Sequence, residues 1–265
     1  MSGNEVFELE SGTGWSRGLS NMLSSGLARW FKTKTWWIQS LIWGGMVAII
    51  VSTLVFSHRE PAPLLDLLMV SFIFTGLFPA VGVIIIMQDT IVGEKREGTA
   101  SWVLSKPLTR QAFVLSKVIA NSVGILVNMI IVPCCLAFII ISIAHKTTLF
   151  SLGFFGAMGV IFISHFFFLS LTLMLGTFFN NRGPVIGIPL AILFLQQYML
   201  GFLPNLRYVL PWNLVVPLGN TNPLVLSLII GTPVQSDHLI LLLVITLESI
   251  LFLLIGLWRF NQEEF

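Results

Sequence analysis

Charge is what this sequence has least of. Only 10% of its 265 residues are Asp, Glu, Lys or Arg and 55% are hydrophobic, against about 25% charged in a soluble domain. The few charges are clumped, with none in 35–58, 67–88, 118–145, 147–181, 183–206 or 208–236. Runs of that length exclude an ordinary water-soluble domain. A second absence is the Gly-x-x-x-x-Gly-Lys-Ser/Thr phosphate loop, so the usual means of binding ATP is missing. Cysteine is scarce too: Cys134 and Cys135 are adjacent, and neighbours on one helix point in different directions. That argues against a disulfide between them, nothing in their spacing supports a metal site, and they read as small packing residues. No repeat of 20–50 residues or low-complexity tract is evident. Glu5, Glu8 and Glu10 precede the first hydrophobic stretch, which is not the pattern of a cleavable signal peptide.

What is present is a series of long apolar runs. A helix needs about 20 mostly apolar residues to cross the hydrocarbon core. Spans are expected near Trp36–Phe56, Leu65–Met87, Val118–Ala144, Leu152–Phe179, Pro184–Leu203 and His238–Trp258, the last interrupted by Glu248. Barrel strands would alternate in short segments instead, so the fold class is an all-α polytopic membrane protein with six transmembrane helices. With the N-terminus inside, eleven basic residues (Arg17, Arg29, Lys32, Lys34, Lys95, Arg96, Lys106, Arg110, Lys117, Arg182 and Arg259) face the cytoplasm and three (Arg59, Lys146 and Arg207) face out. Both termini are thus expected in the cytoplasm. The net charge of +2 is a topology signal, not a sign of nucleic-acid binding.

Residues 1–20 read as a polar cytoplasmic tail and 21–265 as one transmembrane domain. Within 21–35, Leu23, Leu27, Trp30 and Phe31 share a face while Arg29, Lys32 and Lys34 lie largely off it, the pattern of a basic amphipathic helix in the membrane interface. A simple anchor and an elbow that also touches a cytoplasmic partner both fit. The loops Ser57–Leu64 and His145–Thr148 are short. The turn Asn180–Gly183 is shorter still and makes spans four and five antiparallel neighbours. Region 204–237 is different: uncharged between Arg207 and Asp237, rich in Pro, Asn and Gly, and holding the short apolar segment Leu224–Ile230. It reads as a re-entrant outer segment, tolerated at depth only when buried in protein or facing water, and is expected to roof a cavity.

The polar island 88–117 is too elaborate for a connector. Gly98 is suited to end the helix continuing from span two. Thr99 can cap a short helix Ala100–Ser105 that displays Trp102, Val103 and Leu104, Pro107 stops it, and Thr109 can cap the helix entering span three. An apolar knob with a charged rim, Glu94, Lys95, Arg96, Glu97 and Arg110, suits docking into a groove on another protein.

The pattern Glu94-x-x-x-Gly98-Thr99, then Leu104-x-x-Pro107-Leu108-Thr109-Arg110-x-x-Phe113 and Lys117 resembles the first cytoplasmic loop of type-2 ATP-binding-cassette (ABC) exporter permeases. Ser116 stands where glycine is more usual, and Trp102 is bulkier than the expected leucine. The resemblance implies a permease domain driven by a separate ATPase subunit in two copies, docked on Glu94, Lys95, Arg96, Glu97, Gly98, Thr99, Trp102, Leu104, Pro107 and Arg110. It also implies a second permease chain, as homodimer or heterodimer, in a prokaryotic cell membrane. No cofactor is expected in this chain, since ATP and Mg would sit on the partner.

Pathway candidates are Glu248, Gln196, Gln197, Asn128 and His165. Glu248 is the one acidic side chain in mid-membrane and should face protein or water; a cation or substrate contact and a neutral carboxyl bonded to a neighbouring helix remain open. Asn121, Asn128 and His165 read chiefly as interhelical hydrogen-bonders. His58, His145 and His238 share no metal-binding spacing. The leading function is an exporter subunit for a hydrophobic or amphipathic substrate. The alternatives are an intramembrane enzyme using Glu248 and His165, or a non-transporting scaffold.

Overall fold

The computed structural model describes residues 14–56, 62–98, 102, 105, 108–147, 152–217 and 222–263. Among these residues every regular element is helical. An amphipathic helix, Leu19–Phe31, leads in. Six helices long and apolar enough to cross a membrane follow: Thr35–Phe56, Leu64–Arg96, Arg110–His145, Leu152–Phe178, Arg182–Phe202 and Ser236–Asn261, here spans one to six. Five were expected from charge-free runs and the sixth from a run interrupted only by Glu248, but spans two and three extend well beyond the apolar limits Met87 and Val118. Their extra turns carry charges that find partners, described below, so the helices need not stop where hydrophobicity does.

The amphipathic helix is offset from its expected bounds of 21–35. It ends at Phe31 because Thr33 turns its hydroxyl back onto Arg29 O (2.5 Å) and pairs with Thr35 Oγ1 (2.8 Å), diverting the chain from helix. Trp30 is its one buried side chain. The indole fills a notch at Gly124 of span three, where an added Cβ would lie 2.2 Å from the ring, and its Nε1–H donates to Asn121 Oδ1 at 2.9 Å.

Span four is the hub. Some 72% of its apolar stretch is buried, against 22–28% in spans one, five and six, which leaves those three on the periphery. Phe154 of span four and Phe138 of span three meet with ring centroids 3.9 Å apart, and Phe138 meets Phe72 of span two at 6.2 Å. Phe167 and Phe168 are buried while Phe155, Phe178 and Phe179 face outward, dividing the phenylalanine cluster between packing and membrane surface. Pro79 and Pro189 lie inside spans two and five, tolerated because neighbouring helices re-satisfy the freed backbone.

Between spans five and six the chain makes a 3-10 turn, Pro204–Tyr208, and two short helices, Trp212–Val215 and Leu224–Ile230. These do not arch over open space as expected. Leu214, Val215, Leu224, Val225 and Leu226 are all buried and plug the bundle between spans two and four. Two glycines make room: a Cβ at Gly76 would lie 2.3 Å from Val215 Cγ1, and one at Gly153 would lie 2.0 Å from Leu228 O. The second obstacle is backbone, which cannot rotate away.

Gly153→Ala should therefore lower the thermal stability of the purified protein by about 1–3 kcal/mol, the usual cost of overpacking. Gly159→Ala, where nothing lies within 4 Å, should leave it unchanged. Melting curves in one detergent compare the two.

Candidate coupling site

Most of the polar island is helix. Span two runs on through a wide π-turn, Asp89–Gly93, into Glu94–Arg96. Gly93 permits the turn, since a Cβ there would lie 2.5 Å from Asp89 Oδ1. That same oxygen accepts from Arg182 Nη2 at 2.6 Å, linking span two to the first residue of span five. Both side chains are nearly half exposed, so the pair adds little stability and its value is positional.

Two of the expected caps, Gly98 and Thr109, are in place. Gly98 takes the left-handed conformation (φ +69) and its N–H donates to Lys95 O at 3.3 Å. Thr109 Oγ1 accepts from Ala112 N–H at 3.2 Å as the N-cap of span three. Thr109 also fastens the chain entering the bundle: its hydroxyl donates to Trp15 O and its N–H to Arg17 O. Between the caps, Trp102 N–H donates to Gly98 O at 3.3 Å and Trp102 O accepts from Ser105 Oγ at 2.7 Å. Trp102 is 63% exposed. Thr99, Val103, Leu104, Pro107 and the rest of the expected helix Ala100–Ser105 lie outside the described residues.

The charged rim divides into two groups. Arg96, Glu97 and Gly98 are exposed, whereas Glu94, Lys95 and Arg110 turn to partners inside the chain. Glu94 Oε1 accepts from Lys117 Nζ, closing the base of the loop between spans two and three. Lys95, with its side chain only 8% exposed, pairs with Glu263 Oε1 at 2.6 Å and donates to Thr177 O at 3.1 Å. Arg110 Nη1 donates to Asn261 O (2.7 Å) and Glu263 O (2.6 Å), satisfying carbonyls that the end of span six leaves without helical donors. Phe113 stacks on Phe260 with centroids 5.5 Å apart and planes 6° apart. Both arms of the loop are thus fastened to the ends of spans four and six. Sequence reasoning missed this latch, because residues so far apart in the chain have no spacing signature.

The pathway candidates are dispersed. Asn128 donates to Gly124 O (2.8 Å) and accepts from Ser40 Oγ (2.9 Å), joining spans three and one, much as Asn121 joins span three to Trp30. Gln196 is buried, its Nε2 donating to Leu193 O at 3.0 Å, while Gln197 is exposed. His165 is buried with Nδ1 2.8 Å from Ile161 O, and Glu248 is half-buried. His165 Nε2, Gln196 Oε1 and Glu248 Oε2 have no hydrogen-bond partner among the described residues. His165 and Glu248 are on different sides of span four. Span six packs where Phe167 meets Phe252 at 5.6 Å, one turn from Glu248. His165 lies about 200° around the helix from Phe167, on the flank of Leu169, which packs with Val83, Met87 and Ile91. No acid–base pair forms. Of the histidines near the other end, His145 sits 3.2 Å from Ala62 O and His238 is buried; His58 lies outside the described residues.

Residues 19–265 match a family profile described as ABC-2 family transporter protein. The chain belongs to the ABC-2 transporter family. The match starts at the first residue of the amphipathic helix and takes in all six spans. A comparison with curated proteins finds no match. As an ABC-2 permease the chain is a multi-pass membrane subunit of an ABC transporter, not itself a catalyst, and the family implies association with an ABC ATPase. The latch at Lys95, Arg110 and Glu263 ties the loop to the ends of spans four and six.

The latch is measurable without a partner. In a double-mutant cycle of Lys95→Met and Glu263→Gln, unfolding in mixed micelles should show a coupling of about 1–3 kcal/mol, the range for residues sharing one network. Strict additivity would mean that the pair is not formed in solution.

Proposed function

We propose that the permease forms half of an exporter's membrane pathway and that an ABC ATPase docks on the surface displayed between Glu94 and Arg110. The observation that carries this reading is the pairing of an exposed Trp102 with two clamped arms: a partner gripping the knob would pull on helices, not on slack chain. Arg96, Glu97, Gly98, Thr99, Leu104 and Pro107 complete the proposed contact surface. Glu94, Lys95 and Arg110 act behind it, holding the surface to spans three, four and six. The eleven-to-three excess of basic residues at this end supports a cytoplasmic location for the loop and both termini, in the inner membrane of a prokaryotic cell.

The working unit is proposed as two permeases with two ATPases, each ATPase carrying its own ATP and Mg. Span five offers a face for the second permease: Phe194, Leu195, Tyr198 and Phe202 are exposed beside Gln197. ATP-driven closure of the motors would press on both loops and switch the pathway from inward- to outward-open. The apolar, aromatic composition of the spans favours a hydrophobic or amphipathic cargo, with Glu248 and Gln196 as polar contacts along its route. An intramembrane enzyme built on Glu248 and His165 finds no support in a geometry that keeps them on different sides of span four.

Trp102→Ala should reduce co-purification of the cognate ATPase by tenfold or more, the effect of losing an aromatic anchor worth about 2 kcal/mol, while the permease remains monodisperse. Undiminished capture of the ATPase by this variant would remove the loop from the interface.

A further inference from the structure

Two adjoining cavities open beneath the amphipathic helix at the charged end of the bundle. One, of about 140 Å³, is lined by Arg29, Trp30, Gln39, Ile86, Asp89 and Lys117 among others. The second, of about 290 Å³, is lined by Met22, Arg29, Asp89, Glu94, Glu97, Trp102 and Lys117 among others. Arg29, Asp89 and Lys117 belong to both, so the two form one groove. Within it, Lys117 is bonded to Glu94 and Asp89 to Arg182. That leaves one cation and one anion, Arg29 and Glu97, neither of which has an ion-pair or hydrogen-bond partner for its side chain among the described residues.

A wall holding one uncommitted charge of each sign is complementary to a ligand that carries both. We infer that the groove binds the headgroup of a zwitterionic phospholipid with a primary ammonium, of the phosphatidylethanolamine class. Arg29 presents a planar fork that matches phosphate oxygens bidentately. The Glu97 carboxylate accepts hydrogen bonds from the ammonium, which a trimethylated choline cannot offer. A lipid is the source because the groove lies at interface depth. Trp30 roofs it, the exposed Trp36 and Trp37 follow at the start of span one, and such residues settle at headgroup level. Met22 and Ile86 supply apolar wall for the glycerol and upper acyl chains. The inference does not rest on ATPase docking, although the lipid would sit against Glu94, Glu97 and Trp102 and so brace the loop from behind.

The test uses the full-length permease in nanodiscs of equimolar phosphatidylethanolamine, phosphatidylglycerol and phosphatidylcholine, with retained lipids counted by native mass spectrometry. Phosphatidylethanolamine should be kept in preference to the other two. Arg29→Gln and Glu97→Gln should each cut its retention about tenfold, the scale of a lost charge-assisted hydrogen bond, with no change for Lys34→Gln, an exposed cation outside the groove. Because neither Arg29 nor Glu97 has a side-chain partner among the described residues, unchanged melting temperatures should accompany the loss. Preference for phosphatidylglycerol would reduce the groove to simple cation attraction and overturn the inference. So would retention unaffected by Arg29→Gln or by Glu97→Gln, or absence of any retained lipid.

Discussion

The ammonium of Lys95 holds three chain segments together at the charged end of the bundle. Taking a lysine out of water costs several kcal/mol unless its charge and donors are matched, and this one is matched twice. Glu263 supplies the counter-charge and Thr177 a carbonyl from the end of span four, where the helix dipole is negative and a cation is favoured. Arg110 repeats the device from the other arm, reaching the carbonyls of Asn261 and Glu263. With Glu94 bonded to Lys117 across the base, the loop's two arms cannot swing independently of each other or of spans four and six. Span four is also the most buried helix, so what happens at the latch is felt in the core.

The architecture was legible because a bilayer imposes a simple rule on composition. Five charge-free runs and the run interrupted only by Glu248 became six helices, and Leu224–Ile230, too short to cross, is a seven-residue helix with those bounds. The Gly98 and Thr109 caps were legible for a local reason: each depends on its own backbone conformation and a partner three residues away. What could not be read was any pairing between distant segments. Glu94, Lys95 and Arg110 looked like a docking rim because their spacing fits one, and nothing in the spacing shows that Glu263 and Asn261 return to meet them. The same blindness put Glu248 and His165 forward as a pair, when the packing of Phe167 on Phe252 turns them to different sides of one helix. The short helices before span six fill the space they were expected to roof, because Gly76 and Gly153 let apolar segments approach the spans closely, and a glycine's neighbour is not written beside it.

On the proposed reading, a push at one membrane face has to become a rearrangement through the whole thickness of the bundle. A displayed knob alone would deliver that push to a flexible connector. The continuous helix from Leu64 to Arg96, the clamp onto spans three, four and six, and Trp30 wedged at Gly124 instead make the charged end a rigid platform carrying one exposed contact element. The proposed lipid groove lies under that platform, where a bound headgroup would stiffen it further, and the exposed face of span five is the one proposed for a second permease.

The central claim is that the loop and the end of span six move as one body. Spin labels at Ser105 and Trp258, both exposed, report it directly by electron–electron resonance in the permease–ATPase complex. Adding ATP should leave the Ser105–Trp258 distance within one protomer unchanged while the Ser105–Ser105 distance between the two proposed protomers shifts. A change in the intramolecular distance on ATP binding would show that the latch opens during the stroke and would contradict the rigid platform.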